Sequence, residues 1–80
     1  MPTLSDLRFG QVATIRSIQG EPALVQRLCE MGLLEGESVT LLAVAPLGDP
    51  IEILCGANRL SLRRREAASV HVEMLPSAAS

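Results

Sequence analysis

RLCEMGLLEG, residues 27–36, is the stretch that decides the fold of this 80-residue chain. It ends a segment in which apolar residues recur at helical spacing. That segment begins at Pro22, and proline is well tolerated at the first position of a helix. Gly32 is placed where it can adopt, at low cost, the left-handed backbone conformation that ends a helix. Leu33 or Leu34 can then fold back onto the apolar side of that helix. The stretch therefore predicts one short helix lying as a lid on a larger β-structure.

The rest of the chain has the features of short strands joined by tight turns. Strands are predicted at residues 12–18, 39–45, 51–55, 59–63 and 70–74. The first does not alternate cleanly, which predicts a β-bulge, and the second is apolar on both faces, which predicts a central strand. Residues 46–50 form a turn by composition, and residues 64–68 predict a single helical turn.

These elements predict a mainly β fold, a small SH3-like β-barrel of about five strands with one short α-helix. The barrel domain is expected at residues 1–75, and residues 76–80 are expected to be a disordered tail. A chain of 80 residues has room for one small domain only.

The composition excludes several functional classes. Hydrophobic residues make up 48% of the chain and aromatic residues only 1%, so the core must be aliphatic. A net charge of −2 with Phe9 as the single aromatic residue argues against nucleic-acid binding. One histidine and no phosphate-binding glycine loop predict a protein that is not an enzyme. With no export signal or membrane span in the sequence, Cys29 and Cys55 are expected to be reduced thiols in the cytoplasm.

A metal site is the first hypothesis to weigh against core packing. The soft and imidazole ligands are Cys29, Met31, Cys55 and His71. The two cysteines fall in phase with apolar neighbours, and no close pair of ligands would organise a tetrahedral site. Asp49 and Glu52 form at most a loose carboxylate pair. The sequence therefore predicts no cofactor and no tight metal site, and leaves weak binding of ferrous iron or another divalent metal open.

The arginine run 63–65 has two interpretations. Guanidinium groups could clamp a phosphate or carboxylate of a partner. The alternative is a solvated turn paired locally with Glu66, favoured for two of the three arginines. Because the net charge is negative, the run is interpreted as a local feature.

A contact surface is the positive hypothesis from the apolar residues. Leu42 and Val44 are expected to pack under the helix, whereas leucines in loops are expected to form an exposed patch. The predicted partner-binding residues are Arg27, Met31, Leu33, Leu34, Leu47, Asp49 and Arg63. The surface joins the end of the helix to the turn at residues 46–50.

Taken in order, the residues at the turns and in the core resemble the FeoA family over almost the whole chain. The resemblance rests on Leu4, Leu7, Gly10, Ala13, Ile15, Arg27-Leu28, Met31-Gly32-Leu33, Gly36, Pro46 to Ile51, Leu62-Arg63, Glu66-Ala67 and Val70. The related SH3-like domain at the C-terminus of iron-dependent repressors is similar too.

The resemblance implies a cytosolic adaptor of bacterial ferrous iron uptake. Its partner would be the ferrous iron permease, whose cytosolic portion carries a G-protein-like GTPase domain, and it would be peripheral to the membrane through that partner only. Three alternatives stay open: a weak metal-sensing module using Asp49, Glu52 or His71, a structural subunit of the membrane complex, and an SH3-like adaptor to an unrelated protein. A homo-oligomer is also possible.

Overall fold

The structure is a computed structural model that describes residues 2–75; the tail predicted at 76–80 lies outside that range. A 3₁₀ turn at Leu4–Asp6 opens the chain. The strands and helices are β1 (Val12–Ile18), α1 (Pro22–Glu30), β2 (Ser38–Val44), β3 (Ile51–Cys55), β4 (Asn58–Leu62), α2 (Arg64–Ala67) and β5 (Val70–Met74). No helix in the described range has the length and apolarity needed to cross a membrane.

The five strands form one antiparallel sheet in the order β4-β3-β2-β1-β5. The mainly β prediction is confirmed, and β2 is the central strand that its two apolar faces predict. The predicted bulge in β1 is present, because its pairing with β5 shifts between Ile15 and Ser17. A second shift between Leu41 and Ala43 interrupts the pairing of β2 with β3. Bulges bend strands and increase their twist, which helps this sheet to curl around its core.

The core consists of apolar side chains from the 3₁₀ turn, both helices and all five strands. Its buried members are Leu4, Leu7, Ala13, Ile15, Leu28, Leu33, Val39, Leu41, Ile51, Ile53, Cys55, Leu62, Ala67, Val70 and Val72. Val44 packs partly against this cluster, whereas Leu42 is half-buried at the bulge of β2. Since no polar side chain is buried among the described residues, apolar burial stabilises the fold with no buried ionic group to satisfy.

The end of α1 is a Schellman motif, as the glycine in the deciding stretch predicts. Gly32 has a φ of 104°, and its N–H donates to the carbonyl of Cys29 at 3.0 Å. The N–H of Leu33 donates to the carbonyl of Leu28 at 3.1 Å. This pattern folds the residue after the glycine back onto the helix. Leu28 and Leu33 are both fully buried as a result.

Candidate interaction surface

Helix α2 holds the N-terminal 3₁₀ turn and the β2–β3 turn together through Arg64. The Arg64 guanidinium donates to the carbonyls of Gly48 and Ser5, the latter at 2.9 Å. The backbone N–H of Arg64 donates to Asp49 Oδ1, also at 2.9 Å. Three segments far apart in sequence therefore meet at one side chain.

Glu66 connects the same helix to α1. Its Oε1 accepts the backbone N–H of Arg63 at 2.9 Å, which caps α2. Its Oε2 forms an ion pair with the guanidinium of Arg27. The predicted partner-binding residues Arg27 and Arg63 are thereby placed around one carboxylate, next to the β2–β3 turn that Arg64 holds.

The β2–β3 turn projects its leucine into solvent. Leu47 is 96% exposed, so nothing in the described chain covers it. The following residue anchors the turn, because the N–H of Gly48 donates to the carbonyl of Ala45 at 2.7 Å. We call Arg27, Leu47, Asp49 and Arg63 the tip surface. It combines one apolar side chain with two cations and a carboxylate, a composition suited to a protein partner.

The sequence prediction was wrong about Leu33, which is fully buried rather than part of an exposed patch. The hydrogen bonds that end α1 direct its side chain into the core. Leu34 is 48% exposed as expected, but Leu34 and Leu47 lie beyond opposite ends of β2. The seven residues of that strand separate its ends by about 20 Å. The predicted surface therefore divides into two parts, one at each end of β2. Met31 is half-buried against the core.

The three arginines of the run 63–65 differ in what they contact. Arg63 and Arg65 are exposed, and the carboxylate of Glu66 contacts the backbone of Arg63 rather than its guanidinium. Arg64 fits neither sequence interpretation, since it bonds backbone carbonyls of two other segments. Sequence spacing could not reveal this role, because the acceptors are main-chain atoms brought close only by the fold.

The residues weighed for metal binding are dispersed. Asp49 accepts the Arg64 N–H at 2.9 Å, and Glu52 lies 3.5 Å from the Arg59 guanidinium. His71 lies on β5, opposite Thr3 in an isolated bridge. Across residues 2–75, no three His, Cys, Asp or Glu side chains are grouped to hold a metal ion.

The two thiols occupy different environments. Cys55 is buried, and its Sγ–H donates to the carbonyl of Gly32 at 3.5 Å. Burial, with a smaller contribution from the nearby Glu37 carboxylate, raises the pKa of the Cys55 thiol. Cys29 is half-buried on α1. Cys55 therefore acts as a core residue that ties the helix end to the end of β3.

We expect iodoacetamide to alkylate Cys55 at least about tenfold more slowly than Cys29 in the folded protein, since the reagent attacks exposed thiolate. Because the folded-state pKa is raised, the stability contributed by the neutral thiol is complete below the unfolded pKa. This contribution to stability is lost as the pH rises from the pKa of the thiol in the unfolded chain through its higher pKa in the folded protein. Mass spectrometry of peptides from a time course measures both thiols in one sample. Equal rates in native buffer would contradict the buried position of Cys55.

Sequence reasoning missed Phe9 as a surface residue. Phe9 is 68% exposed, although its backbone bridges Leu41 of β2. The N–H of the next residue, Gly10, donates to the carbonyl of Leu41 at 3.3 Å. The only signal was that Phe9 is the sole aromatic residue and precedes a glycine.

Comparison with known proteins identifies the family of this chain. Residues 3–74 match the model of the FeoA domain family. The chain is 36% identical over 77 residues to a Fe(2+) transport protein A/Fe(2+) transporter FeoB fusion protein of Porphyromonas gingivalis. That match covers 96% of this chain but only 9% of the fusion protein, so this chain spans a small part of that relative.

Solved structures give the same result. The FeoA protein of Chlorobium tepidum superposes with a TM-score of 0.87 at 41% identity, covering 94% of this chain and 71% of the other. The FeoA of Stenotrophomonas maltophilia, a prokaryotic SH3 domain protein complexed with zinc, gives 0.81 at 35% identity over 91% of each chain.

A manganese-dependent transcriptional repressor gives a TM-score of 0.84 at 18% identity, covering 92% of this chain and 36% of its own, and so shares the fold alone. The SH3-like prediction is confirmed.

Proposed function

Because this chain belongs to the FeoA family, we propose that it supports bacterial ferrous iron uptake by binding the ferrous iron permease, without catalysing a reaction. The observation that carries the proposal is the fusion protein of Porphyromonas gingivalis, in which a region similar to this chain is joined to FeoB. Two functions joined in one polypeptide are expected to operate at close range, at the high effective concentration that a covalent link provides.

The tip surface is the proposed contact with the cytosolic GTPase domain of the permease. Leu47 supplies an apolar anchor that is almost fully exposed, and Arg63 and Asp49 flank it with charges of both signs. Because Arg64 holds the underlying backbone at Gly48 and Ser5, the surface is held in place before binding, which lowers the entropic cost of association. The protein would act on the cytoplasmic side of the membrane.

The test is a titration of isotope-labelled protein with the GTPase domain of the cognate permease, with and without nucleotide, followed by backbone amide shifts. We expect shifts concentrated at residues 46–50 and 63–66, and at Arg27. A spectrum that does not change at high partner concentration would contradict this contact. We also propose that binding needs no resident cofactor or metal in this protein, so a chelator is expected to leave the nucleotide-free titration unchanged.

Leu47→Asp is expected to weaken permease binding by about tenfold, because it removes the apolar anchor of the contact. Leu34→Asp is the matched control: it makes the same chemical change at the other end of β2 and is expected to change the affinity less than about twofold. Isothermal titration calorimetry measures both. If Leu34→Asp alone weakens binding, the partner contacts the segment around Leu34 that follows α1, and the tip assignment is wrong.

A further inference from the structure

Strand β4 is an edge of the sheet with an open row of backbone groups. Its one strand neighbour is β3, and no backbone hydrogen bond reaches residues 58–62 from the other side within the range that the structure describes. At the opposite edge, the chain's own N-terminus covers β5 in part, since Val72 N–H donates to the carbonyl of Pro2 at 2.9 Å. An open edge is a template for a further strand.

The turn between β3 and β4 determines which residues face the open side. It has two residues, 56–57, and the first has a φ of 59°, as in a type II′ hairpin. In such a hairpin the flanking pair, Cys55 and Asn58, exchanges both backbone hydrogen bonds. Because bonded and non-bonded pairs alternate along an antiparallel ladder, the N–H and C=O groups of Arg59 and Ser61 point to the open edge.

The other side of β3 supports this alternation. Gly56 N–H donates to the carbonyl of Ser38 on the β2 side at 3.2 Å. Even-numbered residues of this segment therefore direct their backbone groups to β2, and odd-numbered ones to β4. Glu52 is even-numbered and lies opposite Ser61, so the backbone groups of Ser61 have no partner on β3.

A groove of about 200 Å³ lies beside Ser61 on the outer face of the sheet. Most of its wall is apolar, and Glu52 is its single charged side chain. The lining residues are Ala43, Val44, Ala45, Pro50, Ile51, Glu52 and Ser61. Such a groove fits an arginine, whose methylene groups can cover the apolar wall while the guanidinium meets the carboxylate. A strand added to β4 should therefore place a cation opposite Ser61.

We propose that the added strand is β4 of a second copy of this chain, paired antiparallel about Leu60. In this register Arg59 of each copy lies opposite Ser61 of the other. The backbone groups of Arg59 and Ser61 in one copy then bond to those of Ser61 and Arg59 in the other. The second copy also supplies the arginine that is expected beside the groove. Inner-face Leu60, already packed partly against the core, meets its own symmetry mate.

Electrostatics selects this register over its neighbours. Pairing centred on Arg59 would oppose two arginines, and pairing centred on Ser61 would oppose Arg59 with Arg63; like charges directly opposite destabilise strand pairing. In the proposed register the second copy's Arg59 is two strand spacings, about 10 Å, from the backbone of Glu52, a gap that the two extended side chains span together. Glu52 is available because its 3.5 Å pair with Arg59 of the same chain is largely exposed and weak.

The test is sedimentation equilibrium over a concentration series, with amide spectra recorded on the same samples. We expect reversible dimers in the wild type and concentration-dependent shifts confined mainly to residues 58–62. Ser61→Arg would place an arginine opposite Arg59 at both symmetry-related positions of the dimer. It should therefore weaken dimerisation by about tenfold. Arg59→Glu combined with Ser61→Arg turns both pairs into opposite charges and should restore the dimer.

Ser38→Arg is the matched control, since it adds the same charge at an exposed position of the central strand β2 and should leave dimerisation unchanged. Amide dispersion of each variant reports whether the fold is retained. Three results would overturn the proposal: a wild type that stays monomeric through the series, a Ser38→Arg variant weakened as much as Ser61→Arg, or a double variant that is not restored. Permease-dependent shifts at residues 58–62 without dimers would show that another protein pairs with the edge.

Discussion

Replacing Leu33 by alanine is expected to lower the free energy of unfolding by about 2–5 kcal/mol, the range measured for buried leucines in protein cores. Leu33 is fully buried, and its backbone N–H bonds to the carbonyl of Leu28 at 3.1 Å. The change removes a core side chain at the junction of α1 with the sheet. For a domain of this size, total stability is roughly 4–12 kcal/mol, so a large part of it would be lost. Urea denaturation followed by far-ultraviolet circular dichroism measures the loss.

Leu34→Ala is the control, because the next leucine in the chain is 48% exposed. Its substitution should change the free energy of unfolding by less than about 0.5 kcal/mol. Equal losses for Leu33 and Leu34 would contradict the observed burial and would return Leu33 to the exposed patch that the sequence suggested. The pair also protects the binding experiments, since a Leu33 variant that lost permease binding would lose it through unfolding.

Arg64→Ala is expected to lower the free energy of unfolding by about 1.5–3 kcal/mol, the range for hydrogen bonds that involve a charged group. The guanidinium bonds the carbonyls of Gly48 and Ser5, so the change removes the donors that hold the β2–β3 turn and the N-terminal 3₁₀ turn against α2. Its backbone bond to Asp49 stays possible. Thermal unfolding measures the loss as a decrease in melting temperature of about 6–24 °C, at about 4–8 °C per kcal/mol for a chain of this length.

Arg65→Ala provides the control within the same run, since Arg65 is exposed on the adjacent helical position. We expect a change smaller than about 0.5 kcal/mol. If Arg64 and Arg65 behaved alike, the run would be a solvated turn with no structural specialisation. If Arg64→Ala also weakened permease binding while Arg65→Ala did not, the effect would follow from a displaced Leu47.

At the tip surface, effects on binding can be measured separately from effects on stability. Arg64 fixes the backbone beneath the surface, whereas Leu47 and Arg63 are exposed upon it. Substitutions at the two exposed positions should act on affinity with little effect on unfolding. Substitutions at Arg64 should act on both, because the turn loses its attachment.

The sequence predicted the strands well where local chemistry decides them. Alternating apolar residues placed β3 and β5 at their observed bounds and β4 within one residue of its own. The run that is apolar on both faces placed β2 within one residue of its observed bounds. Gly32 ends α1 because only a residue without Cβ adopts a φ of 104° cheaply. The bulge in β1 also followed from a local break in alternation. Each of these features depends on backbone preferences and side-chain periodicity within a few residues.

The candidate site was predicted in part. The exposure of Leu47 follows from the composition of its turn and is observed. Leu33 was placed incorrectly, because two adjacent leucines after a glycine look alike in sequence. Only the Schellman hydrogen bonds decide which of them turns inward.

The amino-acid sequence by itself determined the class of fold, the central strand, the helix stop and the aliphatic core of this protein. The tertiary structure alone decided which of three consecutive arginines became structural, since the acceptors of Arg64 are carbonyls of Gly48 and Ser5. It also separated Leu34 from Leu47 and left β4 as an open edge. The physical reason is that periodicity and turn preference act between near neighbours, whereas contacts between distant segments depend on strand order and register.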